Sequence, residues 1–409
     1  MANEKIKVPE VLVPAGDAER LKAAVDFGAD AVYLGGKQFT MRAATAGFYG
    51  EQLKEAVDFA HSKNVKVYLT CNTLPRNNEI GAFPEFLLDA QNAGVDALIV
   101  ADLGLLSMIK KYAPNMEIHM STQTGIVNYE TANALYDMGV RRVVLARELS
   151  LEDISEIRRN IPDDLEIEAF VHGAMCVSFS GRCLLSAYLT GRDANRGACA
   201  QPCRWKYHLM EETRPGQFFP VEEDDSGTYI MNSKDLCMID YIPELVKAGV
   251  NSLKIEGRAK SAYYVSIVAN AYRSAVDAYM SGKPLPEWVH NEVYHVSHRD
   301  YCTGFFFGHP SNCQRYEDNS YLKASDVIGV VDKCENGFVY GTQRNRFFAN
   351  DIIEVLAPKK PPVEIALNGQ LYNGNDEIIE TANHAMMKIK FPCSEEFPVG
   401  SVIRKRTEL

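Results

Sequence analysis

The sequence predicts an α/β protein with a (β/α)8 TIM-like barrel, a Cys-rich insertion between strands 7 and 8, and a small C-terminal β-barrel domain. Over roughly the first 260 residues, short runs rich in β-branched residues alternate with amphipathic stretches of helical period. From about Lys323 onward, short β runs separated by turns replace this alternation. The length of 409 residues also exceeds what one hydrophobic core usually fills, so two domains are expected.

The alternation contains eight candidate strands. They are EVLVPAG (10–16), AVYLGG (31–36), VKVYLTCN (65–72), ALIVAD (97–102), EIHMSTQT (117–124), RRVVLAREL (141–149), EIEAFVHG (166–173) and SLKIEGR (252–258). Several of the intervening stretches begin at an Asp or Ser cap and end near Gly or Asn, as helices do. Alternating strands and helices imply a parallel sheet, and eight such units match a closed barrel. A doubly wound open sheet is the alternative, but no G-x-G-x-x-G motif follows the first strand.

Polar residues end these strands, and in such a barrel the active site lies at the carboxyl ends of the strands. The residues at these positions are Asn72, Asp102, Gln123, Arg147, His172, Lys254, Glu256 and Arg258.

The regular spacing fails once, where about 80 residues separate the seventh strand from the eighth. The expected boundaries are therefore 1–320 for the barrel domain, with an insertion at 174–250, and 321–409 for the β domain.

Composition and charge narrow the class of protein. With 46% hydrophobic and 24% charged residues, the chain has an ordinary globular composition. A net charge of -11 argues against a surface coated in basic residues, although a local basic patch is compatible with it. No apolar run reaches the length of a membrane span, and the start MANEKIKVPE has no apolar core. We therefore expect a cytoplasmic protein without a membrane partner.

Four of the ten cysteines fall within 28 residues, spaced Cys176-x6-Cys183-x15-Cys199-x3-Cys203, and Cys237 follows. A reducing cytoplasm disfavours disulfides and favours thiols as metal ligands or catalysts. An iron–sulfur cluster is the favoured interpretation, because a loop folded around a cluster accepts long, irregular spacings. Three alternatives stay open: buried structural thiols, a zinc site, and a cysteine nucleophile with His172 as its base.

The segment EAFVHGAMCVSFSGRCLLS resembles the signature of the collagenase-like peptidase U32 family, and GRDANRGACAQPCRWKY and SLKIEGR extend the match over nearly the whole chain. Well-understood members resemble oxygen-independent hydroxylases that carry a [4Fe-4S] cluster. Length, the CRWKY segment and the C-terminal β domain make the chain most similar to the branch that converts tRNA wobble uridine to 5-hydroxyuridine with prephenate as hydroxyl donor.

This resemblance implies a cofactor and partners. Cys176, Cys183 and Cys199 are the expected cluster ligands, with either Cys203 or Cys237 as the fourth. The expected partners are tRNA, a small-molecule hydroxyl donor and a partner subunit of the same family.

Prephenate is a dicarboxylate, so its pocket should present arginines, and the candidates are Arg42, Arg147 and Arg258. Asn72 and Gln123 are further candidates for substrate binding, whereas His172, Glu256 and Lys254 are candidates for proton transfer. For RNA, the basic clusters at 204–206, 344–346, 359–360 and 404–406 and the aromatic residues Trp205 and Tyr207 are candidate contacts. Two competing functions are a peptidase and a non-catalytic RNA-binding protein with a structural cluster.

Overall fold

A computed structural model describes most of the chain. The described residues are 7–41, 47–176, 178, 183–194, 197–205, 223–224, 227–228, 233–308 and 322–407. They form two compact units. The first contains residues up to 25, 29–260 and 299–321, and the second contains 26–28, 261–298 and 322–409.

Among the described residues up to 260 and at 301–302, the chain forms twelve strands and eight α-helices. The strands are β1 (Glu10–Ala15), β2 (Ala31–Gly35), β3 (Lys66–Cys71), β4 (Ala97–Val100), β5 (Glu117–Met120), β6 (Arg142–Val144), β7 (Glu166–Ala174), β8 (Glu223–Asp224), β9 (Gly227–Thr228), β10 (Asp235–Cys237), β11 (Ser252–Ile255) and β12 (Tyr301–Cys302). The helices are α1 (Ala18–Asp26), α2 (Gly50–His61), α3 (Phe83–Ala93), α4 (Leu103–Tyr112), α5 (Tyr129–Asp137), α6 (Leu151–Arg159), α7 (Leu185–Thr190) and α8 (Ile242–Lys247).

Eight of these strands form a closed parallel barrel. β1 to β7 pair in chain order, and β11 closes the ring because Ser252 pairs with Glu10 on β1 and with Glu168 on β7. The strands are almost continuously buried, as expected when helices cover a parallel sheet. The predicted barrel is therefore confirmed; seven of the eight predicted strands contain an observed one, and β7 extends one residue beyond its predicted end.

The insertion between β7 and β11 adds strands to the outside of the ring. β10 pairs antiparallel with β7, and β12 pairs with β10. At the base of the insertion, Asp235 lies opposite Ala174 and Cys237 lies opposite His172. This pairing fixes both ends of the cysteine-bearing segment against the barrel.

The second unit combines two helices with antiparallel strands. The helices are α9 (Ala262–Met280) and α10 (Glu287–Glu292), and the strands are β13 (Ser325–Glu335), β14 (Phe338–Gln343), β15 (Phe347–Phe348), β16 (Ile352–Leu356), β17 (Val363–Ala366), β18 (Tyr372–Asn373), β19 (Thr381–Ala382), β20 (Lys388–Pro392) and β21 (Val402–Arg406). Seven strands form a curled antiparallel sheet in the order β17-β16-β21-β13-β14-β20-β18. The sheet encloses its own hydrophobic core, which includes Val339, Phe347 and Phe391. The predicted C-terminal β domain is therefore confirmed.

Arg404 on β21 lies at the centre of a buried ion-pair cluster in this unit. Its side chain is fully buried and donates hydrogen bonds to Glu292 on α10 and, at 2.7 Å, to Glu354 on β16. Arg404 is therefore a structural residue and not the surface RNA contact that its basic cluster predicts. Arg406 is exposed and pairs with Glu354 at 2.6 Å.

Within the described part of the chain, no helix combines the length and the apolar character needed to cross a lipid bilayer.

Candidate active site at the mouth of the barrel

A cavity of about 420 Å³ opens at the carboxyl ends of the barrel strands. Cysteine and charged side chains share its walls. The cysteines are Cys176, Cys183, Cys199 and Cys203, and the charged residues are Arg147, Glu148, Lys254, Glu256, Arg258 and Lys260. Tyr33, Ile99 and Phe170 supply apolar surface. The arrangement places thiols beside groups able to bind an anion.

The thiol wall is built from the first part of the insertion. Cys183 precedes α7, and the backbone N–H of Leu185 donates to its sulfur at 3.4 Å. The N–H of Gln201 donates in the same way to the sulfur of Cys199 at 3.3 Å. Such N–H···S bonds stabilise thiolates and help to set the potential of iron–sulfur clusters. The Ala200 N–H donates to Ser186 Oγ at 3.0 Å, which ties the two cysteine segments together.

The donor set fits a [4Fe-4S] cluster in its chemistry. Among the described residues, no three His, Cys, Asp or Glu side chains lie close enough to hold a single metal ion. In a [4Fe-4S] cluster, however, each thiolate binds a different iron atom, so its four sulfurs lie further apart than the ligands of one ion. Four cysteines that form no disulfide and line one cavity match that requirement better than they match a mononuclear zinc site.

Cys237 has a different position. It lies on β10, opposite His172 of β7, and it does not line the cavity. Cys203, by contrast, lines the cavity together with Cys176, Cys183 and Cys199.

Arg258 is held rigidly in the cavity wall. Its Nη1 donates to the hydroxyls of Thr40 at 2.7 Å and Thr70 at 2.9 Å, and the residue is nearly buried. Gly35 makes room for this guanidinium, because a Cβ at that position would lie 2.6 Å from Nη1. A guanidinium fixed in this way is preorganised to bind a carboxylate.

Arg147 is also fixed, between the barrel and the start of the insertion. Its Nη1 donates to the carbonyl of Ala174 at 2.9 Å, and its guanidinium lies 3.9 Å from the ring centroid of Phe170. Arg147 therefore presents a cation next to the wall that contains Cys176.

Lys254 extends from β11 to the inner end of the cavity. Its ammonium donates to Glu168 at 2.6 Å inside the barrel. Burial alone would raise the pKa of Glu168, but Lys254 and Arg142 together hold it below its usual range. Glu168 is therefore an internal carboxylate anion that faces two cations.

Asn72, Gln123 and Glu256 complete the polar lining of the cavity. The side-chain oxygen of Asn72 accepts from the Met41 N–H at 3.1 Å, so this residue also orders the loop after β2. The N–H of Glu256 donates to the His172 carbonyl at 2.8 Å, and this bond fixes the backbone from which its carboxylate projects.

Two residues predicted at the strand ends have other positions. His172 is buried and does not line the cavity; its ring lies 5.3 Å from that of Tyr301. Asp102 caps α4 by accepting from the Leu105 N–H at 2.9 Å. Arg42 lies outside the described residues, as does Tyr207, whereas Trp205 is exposed just after Cys203.

Sequence reasoning missed Thr40, Thr70 and Glu168. The two threonines gave no usable signal, because a hydroxyl in a strand or loop is common. Glu168 did give one: in EIEAF, residues 166 and 168 place two carboxylates on the same face of a strand whose other residues are apolar.

The chain matches known proteins over nearly its whole length. The family model of "Peptidase family U32" matches residues 16–315, and that of "Peptidase family U32 C-terminal domain" matches residues 323–404. Over 406 residues the chain is 35% identical to "tRNA hydroxylation protein P1" of Bacillus subtilis, with 98% of this chain and 95% of that protein covered.

Two further relatives carry different names. The chain is 37% identical over 393 residues to "tRNA hydroxylation protein P" of Escherichia coli, with 86% of each protein covered. It is 35% identical over 313 residues to "Collagenase" of Porphyromonas gingivalis, with 73% of each covered. The matches to both domains, the confirmed barrel and the cysteine-lined cavity agree: the chain belongs to peptidase family U32.

Proposed function

We propose that the chain is an iron–sulfur enzyme that hydroxylates tRNA, converting wobble uridine to 5-hydroxyuridine without O2, with prephenate as the hydroxyl donor. The observation that carries the proposal is that four cysteines and three fixed cations, Arg147, Lys254 and Arg258, line one cavity. Relatives named as tRNA hydroxylation proteins over most of the chain support the class of substrate.

In this proposal Cys176, Cys183, Cys199 and Cys203 hold the cluster, since these four share the cavity. A bound [4Fe-4S] cluster would supply electron transfer at the barrel mouth. The Arg192 side chain donates to the Ala198 carbonyl at 3.0 Å and so helps to order the loop before Cys199.

Arg258 and Arg147 would bind the two carboxylates of the donor, each through a guanidinium whose position is already fixed. Fixing the cations in advance lowers the cost of ordering them when the ligand binds. Glu256 lines the same cavity and would accept or return the proton at the reacting carbon.

The uridine must leave its stack to reach a cavity inside a barrel mouth. Trp205 follows Cys203 by two residues, is 44% exposed and would provide a surface on which an unstacked base can lie. A partner subunit of the same family, if one binds, would add to this surface.

A peptidase is the second candidate, favoured by the relative named as a collagenase. A cysteine peptidase needs a base within hydrogen-bond reach of its nucleophile. Among the described residues that line the cavity there is no histidine, and His172 lies outside the lining. This geometry weighs against a Cys–His pair at this site.

The test has two parts. Protein purified without oxygen should contain about four irons and four sulfides per chain by the cluster stoichiometry, and Cys203→Ala should lose them while Cys237→Ala keeps them. In cells lacking the native gene, Cys176→Ala and Arg258→Ala should abolish 5-hydroxyuridine in tRNA nucleosides at unchanged protein level.

The outcomes separate the candidates. A colourless protein that cleaves casein would replace the proposal with the peptidase. A cluster-containing protein whose Arg258→Ala variant still supports full tRNA hydroxylation would contradict the assigned donor site. If the protein contains a cluster but Cys176→Ala leaves the 5-hydroxyuridine content of tRNA unchanged, the cluster is structural and the protein is non-catalytic.

A further inference from the structure

A charged network fills the barrel interior below the cavity. Arg142 on β6 is buried and pairs with three carboxylates: Glu10 at 2.6 Å, Glu166 at 2.6 Å and Glu168 at 3.2 Å. Glu168 is the innermost of the three, with a fully buried side chain. Buried charges are costly unless they are paired, so a network of this size needs a reason to be kept.

Glu168 connects this network to the cavity. Its Oε1 accepts from Lys254 Nζ at 2.6 Å, while its Oε2 accepts from Arg142. Lys254 itself lines the cavity, as do the two rings beneath its ammonium, with centroids 4.8 Å away for Tyr33 and 5.3 Å away for Phe170. One carboxylate and two ring faces therefore determine where this positive charge lies.

We propose that Glu168 is a positioning residue that holds the Lys254 ammonium, protonated, at the inner end of the cavity, where it binds an anionic group of the ligand. The inference rests on the proposed function for the identity of that ligand. The positioning itself depends only on contacts inside the barrel.

Arg142 does not take over this role. Its charge is shared among Glu10, Glu166 and Glu168, and it lies deeper in the barrel than the cavity lining. Without the Glu168 carboxylate, the Lys254 ammonium would be buried beside Arg142 with no anion between them. Burial and a neighbouring cation both favour the neutral amine, so its pKa should fall.

The other charged or titratable groups around the Glu168–Lys254 pair come from neighbouring strands. Tyr33 on β2 lies beside the Lys254 ammonium, whereas Arg142 on β6 and His119 on β5 interact with Glu168. Tyr68 on β3 and Glu10 on β1 are hydrogen-bonded to each other and join the same network through Arg142. Burial lowers the pKa of His119 and raises that of Tyr68, so both are neutral near pH 7. They cannot replace the negative charge of Glu168.

The experiment compares Glu168→Gln with Glu166→Gln, a matched control two residues along the same strand. Both substitutions remove a carboxylate partner of Arg142, but only the first removes the partner of Lys254. Amine labelling with acetic anhydride, read by mass spectrometry across pH 6 to 11 in the intact protein without ligand, reports when Lys254 becomes reactive.

Glu168→Gln should move the onset of Lys254 labelling to lower pH by about one unit or more, on the scale of shifts that buried lysines show, while Glu166→Gln leaves it near the wild-type value. Prephenate binding to the anaerobically purified protein should then weaken between pH 6 and pH 9 in Glu168→Gln alone, by about tenfold where the midpoint of Lys254 labelling has fallen to about pH 8. Lys254→Met should bind weakly at both pH values.

Equal labelling profiles for the two Gln variants would overturn the proposal. If Glu168→Gln does not fold, Glu168→Asp, which keeps the carboxylate, replaces it. Lys254 labelling that begins at the wild-type pH in Glu168→Asp supports the role. Labelling that begins at a pH lower by about one unit or more contradicts it. Wild-type protein that fails to bind prephenate at any pH would refute the proposed ligand, and the labelling result would still decide the positioning role.

Discussion

Gly35→Ala tests whether the position of Arg258 determines ligand binding. The new Cβ would lie 2.6 Å from Nη1 and 3.1 Å from Cζ of Arg258. Ordinary contacts are about 3.5 Å or longer, so the guanidinium must withdraw by roughly 1 Å. Gly35 is the last residue of β2 and does not have a positive φ, so alanine fits its backbone conformation.

The withdrawal would weaken two hydrogen bonds that hold the guanidinium. They measure 2.7 Å to Thr40 and 2.9 Å to Thr70, and a displacement of about 1 Å away from an oxygen takes its bond beyond hydrogen-bond range. Hydrogen bonds to charged groups contribute about 1.5–3 kcal/mol. We therefore expect the free energy of unfolding to fall by about 1–3 kcal/mol. Under the proposed function, prephenate affinity should fall by about ten- to a hundredfold, the change that a loss of about 1.4–2.8 kcal/mol causes.

Titration calorimetry with prephenate measures the affinity, and urea unfolding measures the stability. Gly81→Ala is the control, because a Cβ there meets no atom within 4 Å. In a double-mutant cycle, Gly35→Ala should add nothing to Arg258→Ala, since both act through the same guanidinium. A Gly35→Ala protein that binds prephenate within twofold of wild type would refute the reasoning.

Three further predictions concern stability and reactivity. Arg404→Met removes the arginine partner of the buried Glu292 and one of the two arginine partners of Glu354. It should lower the free energy of unfolding of the second unit by about 3–5 kcal/mol, against less than about 1 kcal/mol for the exposed Arg406→Met; equal urea midpoints would contradict this. Burial lowers the pKa of His295 to about 4, so between about pH 6.5 and 4 the unfolded chain binds a proton that the folded chain does not. The free energy of unfolding should therefore decrease as the pH is lowered through this range, and it should decrease less steeply in His295→Asn. Burial raises the pKa of the Cys71 thiol, so iodoacetamide at pH 8 should not label it in native, cluster-free protein. The exposed Cys176 should be labelled under the same conditions. Equal labelling of the two cysteines, measured by peptide mapping, would contradict the buried position of Cys71.

The sequence was sufficient to predict the barrel because its strands are short, β-branched and separated by helices of regular length. It placed the ends of seven strands one to five residues too late, since polar residues such as Asp102 continue the run although they already cap the next helix, and it placed the end of β7 one residue too early. Strand-end position also failed to distinguish His172, whose side chain leaves the cavity lining, from Lys254, whose side chain enters it. A register shift between β7 and β11 at Lys254/Ile255 lies at this point, and spacing alone does not reveal it.

The grouping of the cysteines could be predicted from the sequence, but which of Cys203 and Cys237 lies at the cavity could not. Spacing identifies four thiols in one insertion, whereas the choice between Cys203 and Cys237 depends on how the chain returns to the barrel. That return is the antiparallel pairing of β10 with β7, a contact between segments about 60 residues apart that no local pattern encodes.

The same pairing has a consequence for how the family diversifies. Because Ala174 and Asp235 lie opposite each other where β7 and β10 pair, the chain between them leaves and rejoins the barrel at one place, and its two ends are held together. The entropy of closing a loop rises only slowly with its length, by about 0.6 kcal/mol for each doubling. Insertions or deletions between the cysteines therefore change the reach of this loop at little cost to the barrel, so one scaffold can adapt its entrance to substrates of very different size.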